Sequence, residues 1–163
     1  MRCRQLSSGR RLSIFVVVRH AHAAGTTKWL GAETNRPLSP LGRRQASGLV
    51  AALDGIELHT LFSSPTARCR DTLGALAAER ALPVQDHWLL APDAPVDQLR
   101  AALRGSHIGG TLWCTHGEIL DDLAAISDHD SSGVFPTATT AKGGAWIFTP
   151  GADPRYLPPT PPA

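Results

Sequence analysis

The sequence lacks most of the features that would set it apart from ordinary globular domains. Its 163 residues include three cysteines, one methionine and a formal net charge of only +2. Because Cys3, Cys69 and Cys114 are odd in number and far apart, they exclude a disulfide framework and a cysteine zinc site, and they favour a reduced, cytoplasmic setting. The small net charge gives no basis for a nucleic-acid interface, which normally needs a concentrated basic patch.

Long hydrophobic runs are also missing. No apolar stretch approaches the roughly 18 residues of a membrane-spanning helix, so we expect no membrane partner. The apolar run at residues 14–18 follows a basic segment, but it is shorter than the core of a secretory signal and leads directly into Arg19 and His20. We therefore expect no signal peptide.

The composition fits one domain, because 42% of the residues are hydrophobic and 18% are charged. We expect a loose polar extension over residues 1–11 and a single domain over residues 12–149. Residues 150–163 are rich in proline, which predicts a disordered tail.

Apolar periodicity divides the domain into alternating strands and helices. Short β-branched runs predict strands at residues 12–18, 60–62, 83–86, 111–115 and 145–149. Apolar residues at helical spacing predict helices that begin near Pro40, Pro65, Pro95 and Ile119. The pairs Ser39-Pro40 and Ser64-Pro65 both have the signature of a helix N-cap followed by a first-turn proline. This alternation predicts an α/β fold with a mainly parallel sheet and helices on both faces.

Four residues able to bind phosphate follow the predicted strands. Arg19 and His20 follow the first strand, Arg68 lies in the first turn of the helix after the second, and His116 follows the strand at residues 111–115. In folds of this kind ligands bind beyond the carboxyl ends of the strands. We therefore expect two arginines and two histidines to meet at one edge of the sheet.

These residue types suit phosphoryl transfer. The planar guanidinium groups of Arg19 and Arg68 match the oxygens of a phosphate in a bidentate way. Nearby positive charge lowers the pKa of a histidine, which keeps His20 neutral and nucleophilic. We expect His20 to attack phosphorus, His116 to donate a hydrogen bond to the phosphoryl oxygens, and water to release the phosphate.

Four short motifs resemble those of the histidine phosphatase superfamily, also called phosphoglycerate mutase-like. Residues 18–21 (Val-Arg-His-Ala) resemble its Arg-His-Gly signature, residues 36–42 its Pro-Leu-Thr-x-x-Gly stretch, residues 63–72 its Ser-Ser-Pro-x-x-Arg-x-x-x-Thr motif, and residues 115–118 its late His-Gly motif. The resemblance implies a phosphoglycerate mutase-like fold, His20 as the phosphate acceptor, Arg19, Arg68 and His116 as the rest of the pocket, and no cofactor. Ala21 in place of glycine resembles the SixA-type phosphohistidine phosphatase branch, and also the histidine phosphatase domain fused to some bacterial Nudix hydrolases.

The chain is short between Arg70 and His116, where larger members carry the substrate cap and an acidic proton donor. The acids available there are Asp86, Asp93 and Asp97. We take Asp93 as the candidate general acid, with the alternative that it caps the helix beginning near Pro95.

Two further residues near His20 have open roles. Arg36 could bind the substrate phosphate or could be an ordinary surface arginine. His22 forms a His-x-His pair with His20, with Glu33 as the nearest acid, but this donor set is poor, so we expect no metal site.

The sequence thus predicts a metal-independent phosphatase that acts on a phosphohistidine protein or a small phosphate ester. Within that class a phosphatase of small metabolites or nucleotides is the alternative to a protein phosphohistidine phosphatase. A non-catalytic phosphoryl-binding module and a metal-dependent hydrolase using His20 and His22 are the alternatives from other classes. Oligomeric state has no signal in the sequence.

Overall fold

A computed structural model describes residues 14–105, 107–127 and 136–162 of the chain. The strands are β1 (Phe15–Arg19), β2 (Thr60–Ser63), β3 (Val84–Asp86), β4 (Thr111–Thr115), β5 (Ala145–Phe148) and β6 (Arg155–Leu157). The α-helices are α1 (Pro40–Ala52), α2 (Ala67–Arg80), α3 (Val96–Leu103) and α4 (Gly117–Ser127), and short 3-10 helices lie at Glu33–Asn35 and Trp88–Leu90. The N-terminal extension expected over residues 1–11 lies outside the described residues.

The strands form one sheet in the order β3-β2-β4-β1-β5-β6. The first four of these strands are parallel to one another, whereas β5 is antiparallel to β1 and β6 is antiparallel to β5. The sheet is therefore mainly parallel, as the alternating sequence pattern predicted.

Alternate residues of β1 point to opposite faces of the sheet and join two separate apolar clusters. Phe15 and Val17 pack in the cluster that contains the buried leucines of α3 and α4. Val16 and Val18 pack in the cluster that contains those of α1 and α2. Helices thus cover both faces, which explains why β1 is a continuous apolar run rather than an alternating one.

The start of α1 agrees with the sequence prediction, but the start of α2 does not. Ser39 is the N-cap of α1, and its side chain accepts a hydrogen bond from the backbone N–H of Gly42. Helix α2 begins only at Ala67, and its N-cap Thr66 makes no capping hydrogen bond through its side chain. The hydroxyl of Ser64 is not available as a cap, because it bonds to the imidazole of His116.

The prediction of a disordered tail from residue 150 is wrong for residues 150–162. Strand β6 is antiparallel to β5, with Leu157 opposite Ala145 and Tyr156 opposite Trp146. The ring centroids of Trp146 and Tyr156 lie 4.9 Å apart. Beyond β6 the carbonyl oxygen of Pro161 accepts a hydrogen bond from the side chain of the buried Gln45. Proline content misled the prediction because an edge strand tolerates flanking prolines, which do not need to donate to a neighbouring strand.

In the part of the chain that the structure describes, no helix has both the length and the apolar character to cross a membrane.

Candidate active site

The carboxyl ends of β1, β4 and β2 lie side by side and bring the predicted residues to one edge of the sheet. Strand register places Arg19 opposite Thr115 and Ser63 opposite Cys114. His20 and His116 follow the first pair, and Ser64 follows the second pair one position earlier along the strands, so all three leave the sheet at the same edge. The backbone N–H of His20 continues the ladder by donating to the carbonyl of Thr115 at 3.0 Å.

The two predicted histidines meet in this arrangement. The imidazoles of His20 and His116 pack edge to face, with ring centroids 5.3 Å apart. Both are buried, at 7% and 0% relative exposure. The convergence of residues 96 positions apart in the sequence is the geometric feature on which the predicted phosphate pocket depended.

Hydrogen bonding fixes the tautomer of His20. Its Nδ1 lies 2.8 Å from the carbonyl oxygen of Ala21. A carbonyl oxygen can only accept, so Nδ1 carries the proton and Nε2 keeps its lone pair. Burial lowers the pKa of His20 to about 3, opposed by the bond to Ala21 and reinforced by the electrostatic influence of the neighbouring His116, Arg68 and Arg19. The residue predicted to be the nucleophile therefore stays neutral at physiological pH.

The tautomer of His116 follows from the same reasoning. Its Nδ1 lies 3.3 Å from Nη2 of Arg68, and a guanidinium group can only donate. Nδ1 is therefore the acceptor, and Nε2–H donates to the Ser64 hydroxyl at 2.8 Å. The Cys69 sulfur also lies 3.6 Å from Nε2. The predicted donation from His116 to a phosphoryl oxygen therefore requires a proton on Nδ1 when the anion binds.

Both predicted arginines are held by backbone carbonyls. Arg19 donates from Nη1 to the carbonyl of Thr140 at 2.7 Å, and Arg68 donates from Nη1 to the carbonyl of Glu33 at 3.1 Å. The Nε atoms of Arg19 and Arg68 are buried and have no hydrogen-bond partner among the described residues. Unpaired buried donors are costly and uncommon. Both arginines also help to lower the pKa of His20, so their charges lie close to its imidazole. An oxyanion beside His20 would supply the acceptors that these two N–H groups need.

Helix α2 and the segment after β1 are joined by one side chain. The Thr72 hydroxyl accepts a hydrogen bond from the backbone N–H of Ala21 at 2.9 Å and donates to the carbonyl of Arg68 at 2.7 Å. Thr72 therefore connects the residue after His20 with the residue that bears the second guanidinium group.

Arg36 makes contacts other than the predicted contact with substrate phosphate. Its guanidinium group donates to both carboxylate oxygens of Glu33 and to the carbonyl of Ala24. Glu33 in turn lies 3.5 Å from Nη1 of Arg68. Arg36 is thus linked to the pocket through Glu33, and its role in binding substrate stays a prediction.

The candidate general acid Asp93 is exposed in the turn between the second 3-10 helix and α3. It is not the N-cap of α3, because Pro95 occupies that position without a capping side chain. The segment is anchored near the site, since the Thr115 hydroxyl donates to the carbonyl of Leu90 at 2.8 Å. Asp86, by contrast, is paired with Arg70, which lowers the pKa of its carboxyl group.

His22 does not pair with His20 in a metal-binding arrangement. Its Nδ1 lies 2.7 Å from the Ser39 hydroxyl, and its carbonyl accepts from the backbone N–H of Ser39. A Cβ on Gly42 would stand 1.9 Å from the same carbonyl, so the start of α1 requires glycine there. Across the described ranges, no cluster of three or more His, Cys, Asp or Glu side chains is arranged to hold a metal ion.

Comparison with known proteins agrees with this geometry. Residues 15–91, which include three of the four motifs and the two arginines of the pocket, match the sequence profile of the histidine phosphatase superfamily (branch 1). Over this range, which is a little under half of its length, the chain is similar to the histidine phosphatase superfamily. This similarity supports the predicted enzyme class, a phosphatase.

The chain is also similar to the 8-oxo-(d)GTP phosphatase of Mycolicibacterium smegmatis. It is 29% identical over 139 residues, which are 82% of this chain and 43% of that protein. The chain therefore spans less than half the length of that relative.

Solved structures of histidine phosphatases confirm the predicted phosphoglycerate mutase-like fold. A protein described as the phosphohistidine phosphatase SixA from Agrobacterium tumefaciens superposes with a TM-score of 0.68 at 19% identity, covering 89% of this chain and 96% of that one. The protein histidine phosphatase SixA in complex with tungstate gives a TM-score of 0.64 at 20% identity, covering 88% of this chain and 94% of that one.

Sequence reasoning overlooked three residues that hold the pocket together, namely Ser64, Thr72 and Glu33. Ser64 and Thr72 lie within the motif at residues 63–72, so the sequence indicated that these positions matter. It did not indicate which residues they contact. Glu33 begins a short 3-10 helix in a segment whose sequence has no apolar periodicity, and its position beside Arg68 arises only from the tertiary structure.

Proposed function

We propose that the chain is a phosphatase in which His20 accepts the phosphoryl group from a substrate and transfers it to water. The observation that carries the proposal is the neutral His20 tautomer, whose unprotonated Nε2 lies in a buried pocket with two guanidinium groups. Such an arrangement provides a nucleophile and stabilises the charge on the equatorial oxygens of a transferring phosphoryl group.

In the first step the lone pair of His20 Nε2 forms a bond to phosphorus. The bond between phosphorus and the leaving group breaks, and the leaving group takes that electron pair. The hydrogen bond from Nδ1–H to the carbonyl of Ala21 stabilises the positive charge that develops on the imidazole ring. Arg19 and Arg68 offset the negative charge of the phosphoryl oxygens.

In the second step a water oxygen attacks phosphorus from the side opposite His20. The bond between Nε2 and phosphorus breaks, its electron pair returns to Nε2, and the proton of the attacking water passes to bulk water. Inorganic phosphate then leaves, and His20 regains the tautomer that it had at the start.

The leaving group of an ordinary phosphate ester needs a proton, and Asp93 is our candidate for its donor. The hydrogen bond between Thr115 and Leu90 supports this proposal, because it holds the Asp93 segment beside the end of β4, directly before His116. An Asp93→Asn variant should lose more activity on alkyl phosphates, whose leaving groups are poor, than on aryl phosphates. Equal losses on both substrates would remove Asp93 from this role.

Two substrate classes remain as proposals. The short segment between Arg70 and His116, which carries no large inserted cap, favours a site open enough for a phosphohistidine on a protein surface. The similarity to an 8-oxo-(d)GTP phosphatase favours a nucleotide instead. Parallel rate measurements on a phosphohistidine protein, nucleotides and sugar phosphates separate the two, since the true class should show the highest kcat/KM. Binding of phosphate without turnover of any substrate would indicate a non-catalytic module.

Trapping the intermediate tests the mechanism itself. Brief reaction with substrate labelled in the transferred phosphoryl group, followed by an alkaline quench, should leave the label on His20. A His20→Asn variant should carry no label, whereas the matched His22→Asn variant should carry it. Label on another residue, or equal labelling of both variants, would contradict the proposal. Chelators should leave the rate unchanged, in contrast to a hydrolase that holds a metal between His20 and His22.

A further inference from the structure

Glu33 lies between two arginines and contacts both. Its backbone carbonyl accepts a hydrogen bond from Nη1 of Arg68 at 3.1 Å, and its carboxylate lies 3.5 Å from the same nitrogen. On its other side, Nη2 of Arg36 donates to Oε1 at 2.7 Å, and Nε of Arg36 lies 3.0 Å from both carboxylate oxygens. One acidic residue thus joins an arginine of the pocket to an arginine outside it.

Arg36 fixes this acidic residue to the loop that follows His20. Its remaining nitrogen, Nη1, donates to the carbonyl of Ala24 at 2.8 Å, and the backbone N–H of Ala24 donates to the carbonyl of Pro37. The Arg36 side chain is only 15% exposed, whereas that of Glu33 is 59% exposed. Because each of its three nitrogens already donates to a protein acceptor, Arg36 holds the loop and the carboxylate rather than presenting a free fork to a ligand.

The contacts on Arg68 define the orientation of its guanidinium plane. Nη1 is bound to Glu33 and Nη2 lies against Nδ1 of His116, so Nε is the buried donor left without a partner in the described chain. Rotation of this plane would break two contacts at once. A donor fixed in advance binds an anion more strongly than a donor that must be ordered when the anion arrives.

We infer that Glu33 is a positioning residue that orients Arg68 for oxyanion binding, and that Arg36 acts on the same site through Glu33. This inference rests on the proposed function and assigns Arg36 an indirect role in place of direct contact with phosphate. It makes the pocket depend on a three-residue relay, Arg36 to Glu33 to Arg68, that begins outside the pocket.

Charge repulsion and orientation by Glu33 have opposite effects on the affinity for an anion, so a binding measurement distinguishes them. The carboxylate of Glu33 also repels a bound anion, so its removal strengthens binding if charge alone matters. That repulsion is weakened by water and salt, because the side chain is largely exposed. We therefore expect the loss of orientation to dominate and the affinity for an oxyanion to fall.

The experiment measures tungstate binding to the full chain by titration calorimetry. Glu33→Ala keeps the backbone carbonyl that accepts from Nη1 of Arg68 and removes the carboxylate 3.5 Å from that nitrogen, and Arg36→Ala removes the side chain that holds this carboxylate. Each should weaken binding by about 3-fold to 5-fold. The double variant should be no weaker than the more impaired single variant, because both substitutions interrupt one relay. In the Arg68→Ala background neither substitution should have a further effect. The matched controls Glu57→Ala and Arg44→Ala, at exposed positions, should stay within about twofold of the wild type.

Unchanged or tighter binding in Glu33→Ala overturns the inference, and so do additive losses in the double variant. Turnover provides a second readout, in which KM should rise more than kcat falls and Glu33→Asp should restore part of the affinity. Circular dichroism confirms that each variant is folded. If the wild type binds no tungstate, the oxyanion site fails and the proposed function fails with it. If the wild type binds and only Arg68→Ala weakens binding, the proposed function stands and the relay is wrong.

Discussion

Gly117 lies directly against the guanidinium group of Arg19. A Cβ atom on Gly117 would stand 2.5 Å from Cζ of Arg19 and 2.7 Å from its Nη2. The glycine of the late His-Gly motif is therefore required because the arginine of the first motif occupies the space where a side chain would be.

Gly117→Ala should displace Arg19 and impair the pocket. Because the guanidinium group can move aside only by breaking its bond to the Thr140 carbonyl, we expect kcat/KM for an aryl phosphate to fall by at least about 10-fold, as for other losses of a single stabilising donor. Gly74→Ala is the matched control, since nothing lies within 4 Å of a Cβ at that helical position. The control should keep full activity and gain about 0.5–1 kcal/mol in the free energy of unfolding. Equal activity in the two variants would show that Arg19 tolerates displacement.

Ser64→Ala should reduce catalysis without unfolding the protein. The substitution removes the acceptor for Nε2–H of His116, so the imidazole is no longer held with Nδ1 towards Arg68. We expect kcat to fall by about 10-fold to 100-fold, as when the partner that orients a catalytic imidazole is lost. Ser63→Ala is the matched comparison, because its hydroxyl donates to the carbonyl of Ser64 and makes no bond to the imidazole. A larger loss in Ser63→Ala than in Ser64→Ala would contradict this role.

The low pKa of His20 predicts a specific dependence of stability on pH. The unfolded chain takes up a proton at this residue below about pH 6.5, whereas the folded chain does so only near pH 3. The contribution of neutral His20 to stability is thus complete above pH 6.5, is lost progressively between pH 6.5 and about 3, and changes no further below that.

Denaturant titrations at pH 7 and pH 5 test this prediction with the wild type and His20→Asn. The wild type should lose roughly 2 kcal/mol more than the variant between the two pH values, from about 1.4 kcal/mol for each pH unit below 6.5. Heteronuclear NMR of the ring should also show the neutral tautomer, protonated at Nδ1, at pH 5. Identical pH dependence of the two proteins would mean that His20 titrates normally in the folded state.

Removal of residues 153–163 should lower both stability and activity. Strand β6 covers Trp146, and the Tyr156 hydroxyl accepts a hydrogen bond from the backbone N–H of Ala141, next to the Thr140 carbonyl that holds Arg19. Exposing the Trp146 side chain alone should cost about 1.5–3 kcal/mol in the free energy of unfolding.

Tyr156→Phe separates the hydroxyl from the strand. It should cost about 1 kcal/mol, as expected for one net hydrogen bond, with a smaller loss of activity than the truncation. Full stability and full activity of the truncated chain would show that the contacts of this segment contribute nothing to the fold or to the site.

The strands and the order of the motifs could be predicted from the sequence because both depend on local patterns. Strand β4 lies at the predicted residues, and Ser39 caps α1 as its Ser-Pro pair indicated. The same Ser-Pro signal failed at Ser64, because local capping competed with a hydrogen bond to His116, which is 52 residues away in the chain. The folded C-terminal segment was missed for a related reason, since its partner strand β5 is what makes it a strand.

The sequence by itself determined the alternation of strands and helices. It thereby determined the edge of the sheet that carries Arg19, His20, Arg68 and His116. Parallel strands end at a common edge whatever their loops do, so residue types placed at strand ends predict a site. Only the tertiary structure decided the protonation of the two imidazoles and the contact between Glu33 and Arg68, because each depends on the donor or acceptor that a distant segment places beside it. Hydrogen-bond partners are selected by distance in space, and a linear sequence does not record that distance.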